Sequence, residues 1–384
     1  TRRSGGMHYT SIENIHKVID PLFLDDLQNE FQEIQQIQVK RTRDKKLEEF
    51  QNKLASLTFL DPACGSGNFL TETYLSLRRL ENDVIREKVG GQMTLGEVHN
   101  PIKVSIQQFY GIEINDFAVT VAKTALWIAE SQMLEETKNI LYGFNDDFLP
   151  LKTYVNITEG NALRMDWNDV ILSDQLSYIM GNPPFVGARW MSLEQKRDVE
   201  NIFKGWKSIG NLDYVSCWYK KAADYIGNNN IRAALVSTNS ITQGESVSIL
   251  WKPLFESGIH IDFAYRTFVW DSEASIKAHV HCVIVGFSRF INRIPKKIYS
   301  EGETVYAHNI NGYLLDAESI FIEKRMKPLC NVPEIALGGQ AIDGGFLILT
   351  EEEKEELIKC EPQAAPFLRH YMMGKDFIDR KPRY

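Results

Sequence analysis

Strand-sized apolar runs alternate with longer amphipathic stretches along most of this 384-residue chain. The runs Leu57–Leu60, Phe109–Asn115, Val155–Thr158, Leu176–Met180, Ile231–Val236, Ile259–Tyr265 and His279–Phe287 have the length and boundaries of buried strands. Between them, Phe69, Leu70, Tyr74, Leu77 and Leu80 recur at helical spacing and predict a helix reaching toward Arg86; Asp213–Ile226 reads as another. Upstream, Glu30–Leu57 is a charge-rich helical stretch. Its intermittent apolar face, Phe31, Ile34, Ile37, Leu47, Phe50 and Leu54, suits packing on the flank of a sheet. Alternation of this kind predicts a doubly wound α/β domain. From Arg293 to Tyr384 the alternation is lost, glycine pairs stand at 338–339 and 344–345, and Glu351–Glu356 reads as the start of a solvated helix. The expected division is a helical segment at 1–56, an α/β domain at 57–290 and a small appendage at 291–384.

The run Leu176–Met180 closes on Gly181-Asn182-Pro183-Pro184-Phe185. A buried strand ending in so rigid a loop marks the carboxyl edge of a sheet, where α/β proteins place their ligands. The loop presents an amide, a free carbonyl and an aromatic face together. An exocyclic amino group on a nucleobase is a poor nucleophile, because its lone pair is delocalised into the ring. Accepting both its hydrogens, on the Asn182 side chain and the Pro183 carbonyl, pushes the nitrogen toward tetrahedral geometry and aims the lone pair at an electrophile. Pro184 stiffens the loop, and stacking of the base on Phe185 contributes about 1–3 kcal/mol. Asn-Pro-Pro alone is equally well a plain turn, so its neighbours decide.

Asp61-Pro62-Ala63-Cys64-Gly65-Ser66-Gly67-Asn68-Phe69 follows the first run and reads as strand, glycine-rich turn and helix. Gly65 and Gly67 let the backbone approach a ligand closely, and Asp61 holds a polar group beside it. Leu70 fills the third glycine place of a dinucleotide fingerprint, and no acidic residue closes the next strand at the usual spacing of about 20 residues. A nicotinamide cofactor is therefore disfavoured. Glu113 ends the second run where it would accept both ribose hydroxyls of a nucleoside held by that turn. Asn161, in Glu159-Gly160-Asn161-Ala162-Leu163, is able to bond an adenine edge. Cys64 reads as a small buried apolar residue rather than a nucleophile.

In this order the motifs resemble those of the S-adenosylmethionine-dependent DNA amino-methyltransferases. Gly6-Met7-His8-Tyr9-Thr10 is similar to the family's amino-terminal motif for the methionine end of the cofactor. Its place ahead of the Asp61–Phe69 loop, Glu113, Asn161-Ala162 and the Asn182 tetrapeptide looks like the gamma arrangement. The resemblance implies a Rossmann-like class I fold with a seven-stranded, mainly parallel sheet, one strand being antiparallel. It implies S-adenosylmethionine held by His8, Tyr9, Thr10, Asp61, Ala63, Gly65, Gly67, Glu113, Ile114, Asn161 and Ala162. Asn182, Pro183, Pro184 and Phe185 are then the catalytic loop, acting on a base flipped out of duplex DNA, with no metal. Asn at the head of the tetrapeptide resembles adenine-N6 enzymes, whereas cytosine-N4 enzymes usually carry Ser there.

More narrowly, Tyr9-Thr10-Ser11, Pro21–Leu27 and Leu54–Leu57 look like the methyltransferase part of MmeI-type single-chain restriction-modification enzymes, in which a nuclease domain precedes and a target-recognition domain follows. Trp270-Asp271-Ser272-Glu273-Ala274 resembles a segment facing the target base. The rival readings are a ribosomal RNA guanine-N2 or protein glutamine-N5 methyltransferase and a non-catalytic specificity subunit. Relatives of the first kind generally lack the amino-terminal element, and loss of the Asn or the aromatic would have favoured the second. The interval from Gly67 to Glu113 is long for a nucleotide-binding unit, so an insert containing Gly90-Gly91 and Gly96 is expected.

Composition adds constraints. Apolar content of 43% and charged content of 24% are ordinary for a soluble globular protein. No apolar run approaches the roughly 18 residues of a membrane span, so a cytoplasmic protein is expected. Cys64, Cys217, Cys282, Cys330 and Cys360 stand at wide separations that give neither a disulfide framework nor zinc-ligand spacing. His279 and His281 read as solvated strand positions. A net charge of −8 is awkward for a DNA-binding protein, since Lys and Arg supply most non-specific affinity. The basic stretch Arg369–Tyr384 answers part of this. The chain reads as excised from a longer protein whose downstream recognition domain brings the rest.

Overall fold

The computed structural model describes residues 10–89, 101–141, 155–270, 280–289, 295–300 and 302–323, then 325, 327–328, 330–333 and 344–384. They fall into two units, one within Thr1–Glu323 and one within Lys324–Tyr384.

The larger unit opens with α1 (Ile12–Ile19), whose N-cap is Ser11, and a π-helical turn at Asp20–Leu24 leads into α2 (Asp25–Gln35) and α3 (Lys40–Ser56). The single helical stretch expected over Glu30–Leu57 is thus two helices. The break at Gln36–Val39 lets them fold back, stacking Phe31 on Phe50 with centroids 5.9 Å apart. Then follow β1 (Phe59–Asp61), α4 (Asn68–Val89), β2 (Phe109–Glu113), α5 (Asp116–Ile140), β3 (Asn156–Glu159), β4 (Tyr178–Gly181), α6 (Leu193–Ile202), α7 (Ser216–Ile226), β5 (Arg232–Thr238), α8 (Glu245–Glu256), β6 (His260–Trp270), β7 (Val280–Ser288), β8 (Lys296–Ser300) and β9 (Glu303–Ala307).

These strands form one sheet in the order β3-β2-β1-β4-β5-β7-β6-β8-β9. The stretch from β3 to β5 is parallel, and β7 runs antiparallel to both its neighbours. The strands through β6 match the expected seven with one reversed. The sheet itself has nine strands among the described residues, because β6 leaves a free edge on which β8 pairs in parallel and β9 returns as a hairpin. The expected domain edge at 290 therefore falls inside one sheet, and the first unit runs to Glu323.

The core lies on both faces. Along β5, Ala233 and Leu235 join Ile179, Leu60 and the α7 and α8 side chains. Ala234 and Val236 join Met180, Phe59, Phe109 and α1 to α5 on the other face. Burial on both faces makes such strands read as continuous apolar runs. The amino-terminal helices belong to this second layer, so residues 10–56 share the core of the α/β domain. A polar cluster crosses the same layer: buried Glu81 pairs with buried Arg78, accepts from Gln51 Nε2 at 2.8 Å, and accepts from the Lys103 backbone N–H at 2.7 Å. Arg78 also donates to Thr137 on α5 at 2.7 Å.

In the smaller unit, Thr350 caps α9 (Glu351–Cys360) through a reciprocal bond with Glu353. Beyond α10 (Gly374–Asp379), Leu349 and Tyr384 exchange backbone hydrogen bonds of 2.7 and 2.9 Å. Arg383 pairs with Asp376 at 2.6 Å. All five cysteines are free. His281 is exposed on β7, whereas His279 and the insert glycines Gly90, Gly91 and Gly96 lie outside the described residues.

Candidate active site

The chain passes from β1 outward to β2 and β3, then returns to place β4 on the other side of β1. A crevice at the carboxyl ends of the strands opens where the winding reverses. Asp61 ends β1 and Gly181 ends β4, with Asn182 next in the chain, so the switch point lies between the two strand ends.

The turn after β1 brings Asp61, Ala63, Gly65 and Gly67 together. The buried Asp61 carboxylate accepts from the Ala63 backbone N–H at 3.0 Å. Burial, with the Glu113 carboxylate nearby, pushes its pKa up to about 8. Gly65 has φ +53°, and a Cβ there would meet open space. Gly67, at φ +82°, is spent on packing: a Cβ would lie 2.9 Å from Ala122 Cβ on α5. Cys64 is buried, and burial pushes its thiol pKa up, as suits an apolar filler.

Glu113 closes β2, as expected, and both its oxygens are engaged by backbone. Oε2 accepts from the Gly65 N–H and Oε1 from the Asn115 N–H, each at 2.9 Å. The carboxylate ties two loops together and keeps a further lone pair on each oxygen. Ile114 beside it is 67% exposed, and Phe117, on the first turn of α5, is 64% exposed. Asn161 follows β3, spends Oδ1 on the Leu163 N–H at 2.9 Å, and is succeeded by buried Ala162.

Asn182 stands past β4 with its Nδ2 donating to Thr10 Oγ1 at 3.3 Å. Its Oδ1 is buried and has no hydrogen-bond partner among the described residues. Pro183 is buried, Pro184 is exposed, and Phe185 is half-buried against both core layers. His8 and Tyr9 lie outside the described residues, as do positions 271–274 of the segment expected to face the target base.

Sequence reasoning missed three supports. A Cβ at Gly181 would lie 2.4 Å from Asp61 Oδ1, so the two strand ends approach too closely for a side chain. Asp213 is buried ahead of α7, where Oδ1 accepts from the Val186 and Val215 N–H groups at 3.0 and 3.2 Å and Oδ2 accepts from Thr238 Oγ1 at 3.1 Å. Trp218 on α7 donates to the Pro62 carbonyl at 3.1 Å. The glycine stood in plain view before Asn182; the other two contacts are long-range and leave no local signal. No cluster of metal-ligating side chains occurs among the described residues.

A sheet of this order, with a glycine turn after its first strand and the crevice at the switch point, defines a class I methyltransferase fold. Residues 37–300 match the profile of the MmeI DNA-methyltransferase domain, and residues 316–384 that of the MmeI target recognition domain. The chain belongs to the MmeI DNA-methyltransferase domain family. It is 41% identical over 381 residues to DNA methyltransferase A of Bacillus subtilis, covering 99% of this chain and 42% of that protein. The solved type IIL restriction-modification enzyme MmeI in complex with DNA superimposes with a TM-score of 0.91 at 42% identity, over 98% of this chain and 50% of that one. A shorter match, 30% identical over 97 residues, joins 25% of this chain to 7% of the adenine-specific methyltransferase PglX of Streptomyces coelicolor. The chain thus spans half or less of the length of these relatives.

Proposed function

We propose that this chain carries the methyl-transfer site of a DNA adenine-N6 methyltransferase that uses S-adenosylmethionine, within a larger restriction-modification enzyme. The observation that carries the reading is Asn182 Oδ1, a buried acceptor without a partner at the switch point. Leaving such an atom unsatisfied costs about 1–3 kcal/mol, and a donor arriving with the substrate offsets that cost. The amino group of adenine is such a donor.

The remaining residues fit an adenosine bearing an amino-acid tail. Gly65 offers an open backbone position, Glu113 has lone pairs for ribose hydroxyls, and exposed Ile114 offers an apolar face beside them. Asn161 keeps its Nδ2 for an adenine edge, and Asp61 holds a polar group at the switch point. Bound there, S-adenosylmethionine supplies an electrophilic methyl group on a sulfonium. Asn182 and the Pro183 carbonyl accept the two hydrogens of the target amino group and turn its lone pair out of the ring plane. Phe185 stacks on the base, whose extrusion from the duplex costs a few kcal/mol.

The MmeI complex with DNA and the adenine-specific PglX support the substrate, as does Asn rather than Ser at the head of the tetrapeptide. The match to a target recognition domain supports site-specific duplex DNA as partner, and the relatives' greater length supports a covalently linked nuclease. Incubating the whole protein with labelled cofactor and duplex DNA, RNA or protein, then digesting, tests the reading. The label is expected on N6-methyladenine from duplex DNA; label on cytosine, RNA or protein sinks it.

A further inference from the structure

A loop that receives a base extruded from a duplex lies beneath that duplex, so the exposed side chains flanking it face nucleic acid. Resting on that reading of the Asn182 loop, we infer that Arg189 and Trp190, with the cations that follow them, form the surface on which the duplex beside the extruded base lies. Trp190 is 85% exposed and Leu193 is 76% exposed. The same fold fully or nearly buries Trp167, Trp218 and Trp251. The exposed pair is held in place rather than loose. Asp213 and the Tyr214 N–H fix Val186 at 3.0 Å each, the Trp190 N–H donates to the Gly187 carbonyl at 2.8 Å, and buried Met191 anchors the next position in the core.

Charge points the same way. Arg189, Lys196, Arg197, Lys204 and Lys207 are exposed, and none has a carboxylate partner among the described residues. Of the nearby acids, Asp198 is buried and taken by Arg164 at 2.7 Å and by the Tyr214 hydroxyl at 2.9 Å. Only Glu194 and Glu200 remain exposed on this stretch. A local excess of cations in a chain of net charge −8 suits phosphates, and an aromatic ring among them suits base or sugar stacking. The positive surface is thus expected beside the catalytic loop as well as in the carboxyl-terminal stretch, where Arg383 is already paired with Asp376.

The test uses the whole protein with Arg189→Ala, Trp190→Ala and Trp190→Phe, all at exposed positions. Binding is titrated at several salt concentrations on cognate and unrelated duplexes, flipping is followed by 2-aminopurine fluorescence, and cofactor affinity is read by calorimetry. Arg189→Ala is expected to weaken both duplexes alike and to lower the salt slope by about 1. Trp190→Ala is expected to slow flipping about tenfold, with Trp190→Phe retaining most of it. Cofactor affinity stays within about twofold throughout. Unchanged binding, slope and flipping overturn the surface, and so does a matching loss of cofactor affinity. Asn182→Ala is the separate control: if it methylates at the parental rate the proposed chemistry fails, while the salt slopes still judge the surface.

Discussion

Asn182 and Thr10 meet across 172 residues of chain, with the amide nitrogen 3.3 Å from a buried hydroxyl. Thr10 belongs by resemblance to the cofactor motif, yet its hydroxyl anchors the Nδ2 end of the Asn182 amide and leaves Oδ1 without a partner among the described residues. Thr10→Val should slow single-turnover methylation about tenfold, the equivalent of one well-placed hydrogen bond. Thr10→Ser should retain most of the rate. A drop in calorimetric cofactor affinity that matches the drop in rate would show Thr10 to be a ligand contact instead.

The approach of Gly181 to Asp61 leaves no room for a methyl group. Asp61 is short, buried and already held by Ala63, so it has nowhere to move. Gly181→Ala should destabilise the fold by about 1–3 kcal/mol, as overpacking does, and weaken cofactor binding more than Gly65→Ala does. Equal thermal stability to the parent would show that the strand ends have slack.

Asp61 should also make stability depend on pH. Its folded pKa of about 8 lies above the ordinary carboxylate value near 4, so between these limits the folded state holds a proton that the unfolded chain has released. Stability from this group is therefore lost as pH rises through that window. Asp61→Asn cannot ionise, so its Tm relative to the parent should climb from about pH 4 to about pH 8 and then level off. A difference that stays flat with pH would contradict the assignment.

Asp213 clamps the backbone just past Phe185 to the end of β5. Asp213→Ala leaves two buried N–H groups unpaired and should cost roughly 2–4 kcal/mol while slowing methylation. Asp213→Asn can still accept those N–H groups, and the Thr238 hydroxyl can turn to accept in its place, so about 1 kcal/mol is expected. Chemical denaturation of the two variants checks the order; equal losses would mean that burial, not the clamp, is what matters.

The strands themselves were legible where burial on both faces left unbroken apolar runs, as at Ile179-Met180 and Ala233–Val236. β8 was not legible, where Lys296, Lys297, Tyr299 and Ser300 surround one buried residue, Ile298, because the last hairpin of the sheet has little to hide. The helix α5 escaped notice because Ala118, Ala122 and Ala129 make much of its buried face, and small residues give a faint periodic signal. Within the site, residue types at strand ends pointed to Asp61, Glu113 and Asn182. Their partners did not show, since Gly65 on Glu113 and Thr10 on Asn182 are meetings that only the folded chain arranges.

The adjacency of β1 and β4 also bears on how the molecule comes into being. Thr58 and Ser177 bond across 119 residues of intervening chain, so the crevice has no existence until the two halves have closed that loop. Closing a loop of that length costs entropy before its contacts repay it, and folds rich in contacts so distant in sequence fold slowly. During synthesis the glycine turn can leave the ribosome well before its partner loop, and the chain must protect the unpaired edge of β1 until Tyr178 arrives to cover it.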